Sequence, residues 1–178
     1  MLFEEYLLYL VIEKTKMKKF ILIASLLLNM VLLAQEIKVG QVIPSFTIKS
    51  EEGMIRSSDL KGKVVLINFF ATWCKPCMLE LPHLQTEIWE KYKNDKRFSL
   101  LIIGREHSQS EIAEFKAKKG FQLPIYPDED RSAYSLFAKE YIPRNYIMDK
   151  DGKVVFSSVG FNEAEFKEMI KKVDELLR

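Results

Sequence analysis

Val64-Val65-Leu66-Ile67-Asn68-Phe69-Phe70-Ala71-Thr72-Trp73-Cys74-Lys75-Pro76-Cys77 is the stretch that decides how this chain is read. Its first seven residues form an apolar run broken only by Asn68, as a strand buried on both faces requires. The stretch closes on a C-x-x-C pair holding both cysteines of the chain, and Met78 to Tyr92 then predicts a helix. Disulfides are attacked by thiolates, and a cysteine at a helix N-terminus has its anion stabilised by unpaired backbone N–H groups and the helix dipole. Cys74 is therefore read as the nucleophile. Cys77, one turn further along the same helical face, is read as the resolving thiol that attacks the mixed disulfide from inside.

Other uses of such a pair are weaker. A tetrahedral zinc site needs two more ligands, and His83 and His107 lack the spacing of a helical or knuckle pair. A purely structural disulfide across so short a loop would stabilise little. Lys75 favours the Cys74 thiolate, but an exposed charge contributes ~1 kcal/mol or less. A reducing couple differs from a strongly oxidising one by ~150 mV, at ~30 mV for each ~1.4 kcal/mol. Lys75 thus tunes the site without setting the direction of electron flow. Pro76, in the first helical turn where no N–H is needed, stiffens the loop.

The 178 residues, 48% hydrophobic and 12% aromatic, suffice for one domain with a sizeable core. The 27 basic and 25 acidic side chains are dispersed along the chain, so no face for nucleic acid is expected. Lys18-Lys19 ahead of the apolar run Phe20 to Ala34 has the form of a secretory signal, with Met17 as its expected start. Residues 1–34 are accordingly assigned to an N-terminal extension plus signal peptide or membrane anchor, and residues 35–178 to the folded domain. Cleavage after Ala34 would release the domain; retention of residues 20–34 would tether it.

Within that domain, Ser45 to Lys49 and Met54 to Ser57 predict a hairpin around Glu51-Glu52-Gly53. Phe98 to Gly104 predicts a second central strand. Ser108 and Glu111 have capping-box spacing for a helix ending at Lys119 before Gly120. Leu123 to Asp130 reads as a loop and Ser132 to Glu140 as a short helix. Tyr146 to Met148 and Val154 to Ser158 flank the turn Asp149-Lys150-Asp151-Gly152, and Asn162 caps a last helix, Glu163 to Leu177. The order implies an α/β fold with a central mixed β-sheet flanked by helices on both faces and an N-terminal β-hairpin extension.

Trp73-Cys74-Lys75-Pro76-Cys77 with Glu80 and Pro82, Ser58 to Cys74, and Ile142-Pro143 through Gly152 resemble the thioredoxin superfamily, specifically its exported TlpA/ResA-like branch, over about residues 40–178. The resemblance implies a thioredoxin-like fold and a thiol-disulfide oxidoreductase of the protein-disulfide reductase type, with cytochrome c maturation as one role in the branch. It implies that Pro143 is a cis-proline facing the dithiol, and that the Ile142 backbone pairs with an extended substrate segment beside Trp73. Arg144 and Asn145 stand where relatives carry small hydroxyl residues, which would alter the shape and charge of that groove. Cytosolic thioredoxins carry a buried acid where Asn68 stands, whereas Glu80 matches a glutamate the branch keeps near the dithiol. Glu80 is expected to be partly buried, with a raised pKa, and to move protons to and from Cys77. His107 is read as a solvated loop histidine in preference to a modulator of the dithiol.

The implied partners are disulfide-bearing envelope proteins as substrates and a membrane-embedded thiol reductase as electron donor. No cofactor is expected beyond the redox-active Cys74–Cys77 disulfide, and no metal. An oxidase or isomerase of opposite redox sense remains open, as does a peroxidase of related fold, although no P-x-x-x-T-x-x-C pattern precedes Cys74.

Overall fold

The structure is a computed structural model that describes residues 13–20 and 36–178. The chain divides into two units, Met1–Gln35 and Glu36–Arg178. In the first, residues 13–20 are helical with exposed side chains. The expected signal lies outside the described residues from position 21 onward, and no described helix is long and apolar enough to cross a membrane.

In the second unit, Glu51-Glu52 turns β1 (Thr47–Ser50) antiparallel onto β2 (Gly53–Arg56). A 3-10 turn, Ser57–Leu60, leads to β3 (Val64–Phe70), whose seven side chains are all buried. The chain then forms helix α1 (Lys75–His83), which continues through a wide π turn (Leu84–Trp89) to Tyr92. Pro82 has no N–H for the turn behind it, and the helix widens immediately beyond. Next come β4 (Phe98–Arg105), α2 (Gln109–Lys119), β5 (Ile125–Asp128), α3 (Tyr134–Phe137), β6 (Arg144–Met148), β7 (Val154–Val159) and α4 (Glu163–Leu177).

The main sheet has the order β5-β4-β3-β6-β7, with β3, β4 and β5 parallel and β6 and β7 antiparallel. Because side chains alternate across the pleat, β3 feeds two cores. Val64, Leu66 and Phe70 pack with Leu81, Ile88, Ile112, Phe166 and Val173 of α1, α2 and α4. Val65, Ile67 and Phe69 pack on the opposite face with Phe46 and Ile48 from the hairpin segment and Tyr134 and Phe137 of α3. The α/β architecture with its N-terminal hairpin is as the sequence implies.

Two elements differ from the sequence reading. Ile125–Asp128, read as loop, is a strand, since β5 lies at the sheet edge where Pro127 can lack an N–H without breaking a ladder. The helix read over Ser132 to Glu140 is only Tyr134–Phe137; Ala138 leaves it with φ −153° and ψ 159°. The reason is tertiary: the Phe137 carbonyl, which a longer helix would offer to residue 141, accepts the Ile37 N–H and the Tyr146 hydroxyl instead.

Candidate active site

Cys74 is the N-cap of α1 and Pro76 lies in its first turn, so the predicted placement of both residues is what the backbone adopts. The Cys77 N–H donates to the Cys74 Sγ at 3.3 Å, which places a donor on the atom that carries charge when the pair is reduced. The two cysteines are joined by a disulfide. Cys77 is fully buried and Cys74 nearly so, while Lys75 is exposed and Trp73 projects with 61% of its surface free. Across from the pair, the Ile142 carbonyl lies 3.6 Å from the Cys74 Sγ, and the Ile142–Pro143 peptide is cis. Cys74, Trp73 and Ile142-Pro143 are thus brought together at one end of the sheet.

Beneath the dithiol the sheet register builds a polar row. Asn68 of β3 pairs with Asn145 of β6, and Asn145 pairs with Ser158 of β7, so three polar side chains sit side by side below α1. Glu80, three residues beyond Cys77 on the same helical face, reaches down to that row. Asn68 Nδ2 donates to its Oε2 at 2.8 Å and Asn145 Nδ2 to its Oε1 at 2.6 Å. The same two amides also donate onward, Asn68 to the Asn145 Oδ1 and Asn145 to the Ser158 hydroxyl. Glu80 is only 2% exposed, and burial drives its pKa up to about 7 against the pull of the two amides. A carboxyl that titrates near neutrality one helical turn from a cysteine has the chemistry to exchange a proton with a thiol.

Position 68, where cytosolic thioredoxins carry an acid, holds instead the amide that receives an acid from α1. Asn145 was read as part of the substrate groove; it is buried under α1 and binds Glu80. Arg144 was read there too, but the pleat turns it to the opposite face, where it pairs with Glu36 at 2.8 Å. His107 is not a solvated loop residue. It is 5% exposed, and its Nε2 accepts the Thr72 N–H at 2.9 Å. That bond requires a neutral imidazole with its proton on Nδ1, and burial lowers its pKa in the same sense. Gly104 lies beneath it, and a Cβ there would stand 3.4 Å from the His107 ring but only 2.5 Å from the Ile112 Cδ1. The sequence signal for Asn145 was available only as a polar residue in a strand otherwise fit for the core; its partner, 77 positions earlier, was not.

Residues 39–157 match the AhpC/TSA family model. The thiol-disulfide oxidoreductase ResA of Bacillus thuringiensis (strain Al Hakam) is 31% identical over 141 residues, covering 78% of this chain and 80% of the relative. ResA of Bacillus subtilis (strain 168) is 32% identical over 124 residues, covering 68% and 67%. Among solved structures, a candidate protein disulfide isomerase from Bacteroides thetaiotaomicron superposes with a TM-score of 0.75 at 31% identity, covering 79% of this chain and 91% of that one. StoA from Bacillus subtilis shares the fold with a TM-score of 0.60 at 22% identity, covering 73% and 98%.

Proposed function

The chain belongs to the AhpC/TSA family of thioredoxin-like proteins, among its ResA-like thiol-disulfide oxidoreductases, and from that membership we propose that it works as a reductase of disulfides in envelope proteins. In the proposed cycle the Cys74 thiolate attacks a substrate disulfide, forming a mixed disulfide and expelling one substrate thiolate. Cys77 then gives its proton to Glu80 and attacks the Cys74 Sγ, expelling the second substrate sulfur as a thiolate and leaving the Cys74–Cys77 disulfide; Glu80 passes its proton on to that thiolate or to water. Two electrons and two protons from a membrane-embedded thiol reductase restore the dithiol. Export through the leader that begins at Met17, cleaved after Ala34 or retained as an anchor, would put the domain beside both partners. Cytochrome c maturation is one pathway such a reductase would serve.

The observation that carries the reducing direction is how little stabilises the Cys74 thiolate relative to what an oxidant needs. The Sγ receives one backbone N–H at a helix N-terminus, Lys75 is exposed, and His107, which follows β4 and bonds the Thr72 N–H of the dithiol loop, is neutral. A hydrogen bond to a charged group is worth ~1.5–3 kcal/mol, whereas the ~150 mV that separates thioredoxin from the strongest oxidant corresponds to ~7 kcal/mol. Equilibration of the dithiol with glutathione measures the potential. A value nearer the ~−270 mV of thioredoxin than the ~−120 mV of DsbA is expected, and a value at the oxidising end would overturn the proposal. In cells, Cys77→Ser should accumulate mixed disulfides through Cys74 that identify the substrates.

A further inference from the structure

The loop that carries the Ile142 carbonyl to the dithiol is held in a conformation its own sequence does not favour. Tyr141 has a φ of 66°, left-handed for a bulky residue, and its side chain is 68% exposed. Three side chains that flank the loop, from the turn before α3, from α3 and from β6, each donate to one of three consecutive carbonyls. The Arg131 Nη2 donates to the Lys139 carbonyl at 3.0 Å, the Arg144 Nε to that of Glu140 at 2.9 Å, and the Tyr134 hydroxyl to that of Tyr141 at 2.9 Å. The next carbonyl in line, that of Ile142, instead faces the Cys74 Sγ.

The donors are themselves fixed. Asp128, buried at the end of β5, accepts the Ala133 N–H at 2.9 Å and the Tyr134 N–H at 2.8 Å on its carboxylate, and the Arg131 N–H at 3.1 Å on its carbonyl. Arg131 lies over the Tyr134 ring, and Glu36 anchors the far side of the Arg144 guanidinium. Tyr134 also reaches the opposite rim of the dithiol. Its ring is 5.0 Å from the Arg105 guanidinium, which in turn is 5.6 Å from the exposed Trp73 ring. A left-handed, solvent-facing tyrosine held by three buried or half-buried donors is local strain maintained by its surroundings, the pattern found where the strained segment is used.

We propose that Arg131, Tyr134 and Arg144 are positioning residues that hold residues 139–141 so that the Ile142 backbone and the Tyr141 ring are presented to an extended segment of a protein substrate. Tyr134 sets that edge against Trp73 on the other side of Cys74. The inference rests on the reading of Cys74 as the attacking sulfur and Ile142 as the docking edge. Its consequence is selective: a protein disulfide gains from the held loop, while a small reagent that meets only the Cys74 sulfur does not.

Tyr134→Phe in the full-length chain removes one hydroxyl and keeps the ring that packs on Phe69 and Arg105. With insulin as the disulfide substrate and dithiothreitol as reductant, its KM is expected to rise about three- to tenfold, the loss of one hydrogen bond, with kcat within about twofold. The rate at which iodoacetamide alkylates Cys74, and its pH profile, should match the parent. Arg131→Met, which keeps an apolar stem over Tyr134, should behave alike and stands in if the first variant does not fold. An unchanged KM overturns the proposal, as does a parallel loss in alkylation, which would mark general loosening of the dithiol. Trapping of insulin by Cys77→Ser separates the two layers. If no mixed disulfide forms, the exchange reading fails and takes the positioning role with it; if it forms while KM stays at the parent value, only the positioning role falls.

Discussion

Glu80 carries a proton into a place shut off from water, and that fixes the sign of its effect on stability. Its folded pKa of about 7 lies above the ordinary value of 4.5, so between those limits the folded chain binds more protons than the unfolded one. Stability therefore falls as pH rises through this window, by roughly 3 kcal/mol in all for a shift of this size. His107 acts in the opposite sense: its pKa is lowered, so stability is lost as pH falls below its ordinary value of 6.5. Urea unfolding of the oxidised chain from pH 5 to 8 should show the Glu80 slope, and Glu80→Gln should remove it. In the reduced chain, Glu80→Gln should also erase the inflection near neutrality in the pH profile of thiol alkylation, and a profile that keeps it would show that the inflection belongs to another group. Asn145→Ala tests the amide row. Asn145 is the strongest influence holding the Glu80 pKa down, so its loss should move that inflection upward by about one unit.

At the level of elements, what was legible was what is local. The cap residues Ser108 and Asn162 accept the N–H groups of Glu111 and Glu165, and α2 and α4 begin where those side chains dictate. Asn162→Ala should accordingly lower the unfolding free energy by about 1 kcal/mol in urea titrations. A change several times larger would mean that Asn162 supports more than the first turn of α4. Gly120 at φ 69° ends α2, and Asp149 turns β6 into β7 by accepting the N–H groups of Asp151 and Lys153, all within a few residues of chain. The unread features depend on distant partners. The edge strand β5 exists because β4 offers it a ladder, and α3 stops at Phe137 because the Ile37 N–H, a hundred residues earlier, and the Tyr146 hydroxyl of β6 take its last carbonyl. The dithiol, Glu80 and the Ile142-Pro143 segment were visible as motifs, whereas Asn145 and His107 took their places through sheet register and a loop packed beside Gly104.

For the molecule as a whole, redox state and folding form one thermodynamic cycle, because the same two sulfurs are bonded or free in both the folded and the unfolded chain. A strong oxidant of this chemistry owes its potential to a stabilised reduced form. Here the oxidised form is tightly accommodated: Cys77 is fully buried, Cys74 is 5% exposed, and the groups around the Cys74 Sγ are too few to compensate for freeing a thiolate. The oxidised chain should therefore be the more stable of the two. Closing a loop of this length contributes about 2 kcal/mol through chain entropy, and the cycle converts that difference to ~40 mV toward the reducing side of an unfolded dithiol. Urea titrations of the full-length protein with and without dithiothreitol measure it directly, with the midpoint expected to drop on reduction. A reduced chain that unfolds at higher urea than the oxidised one would place the protein among the oxidants, and the potential measured against glutathione would have to move with it.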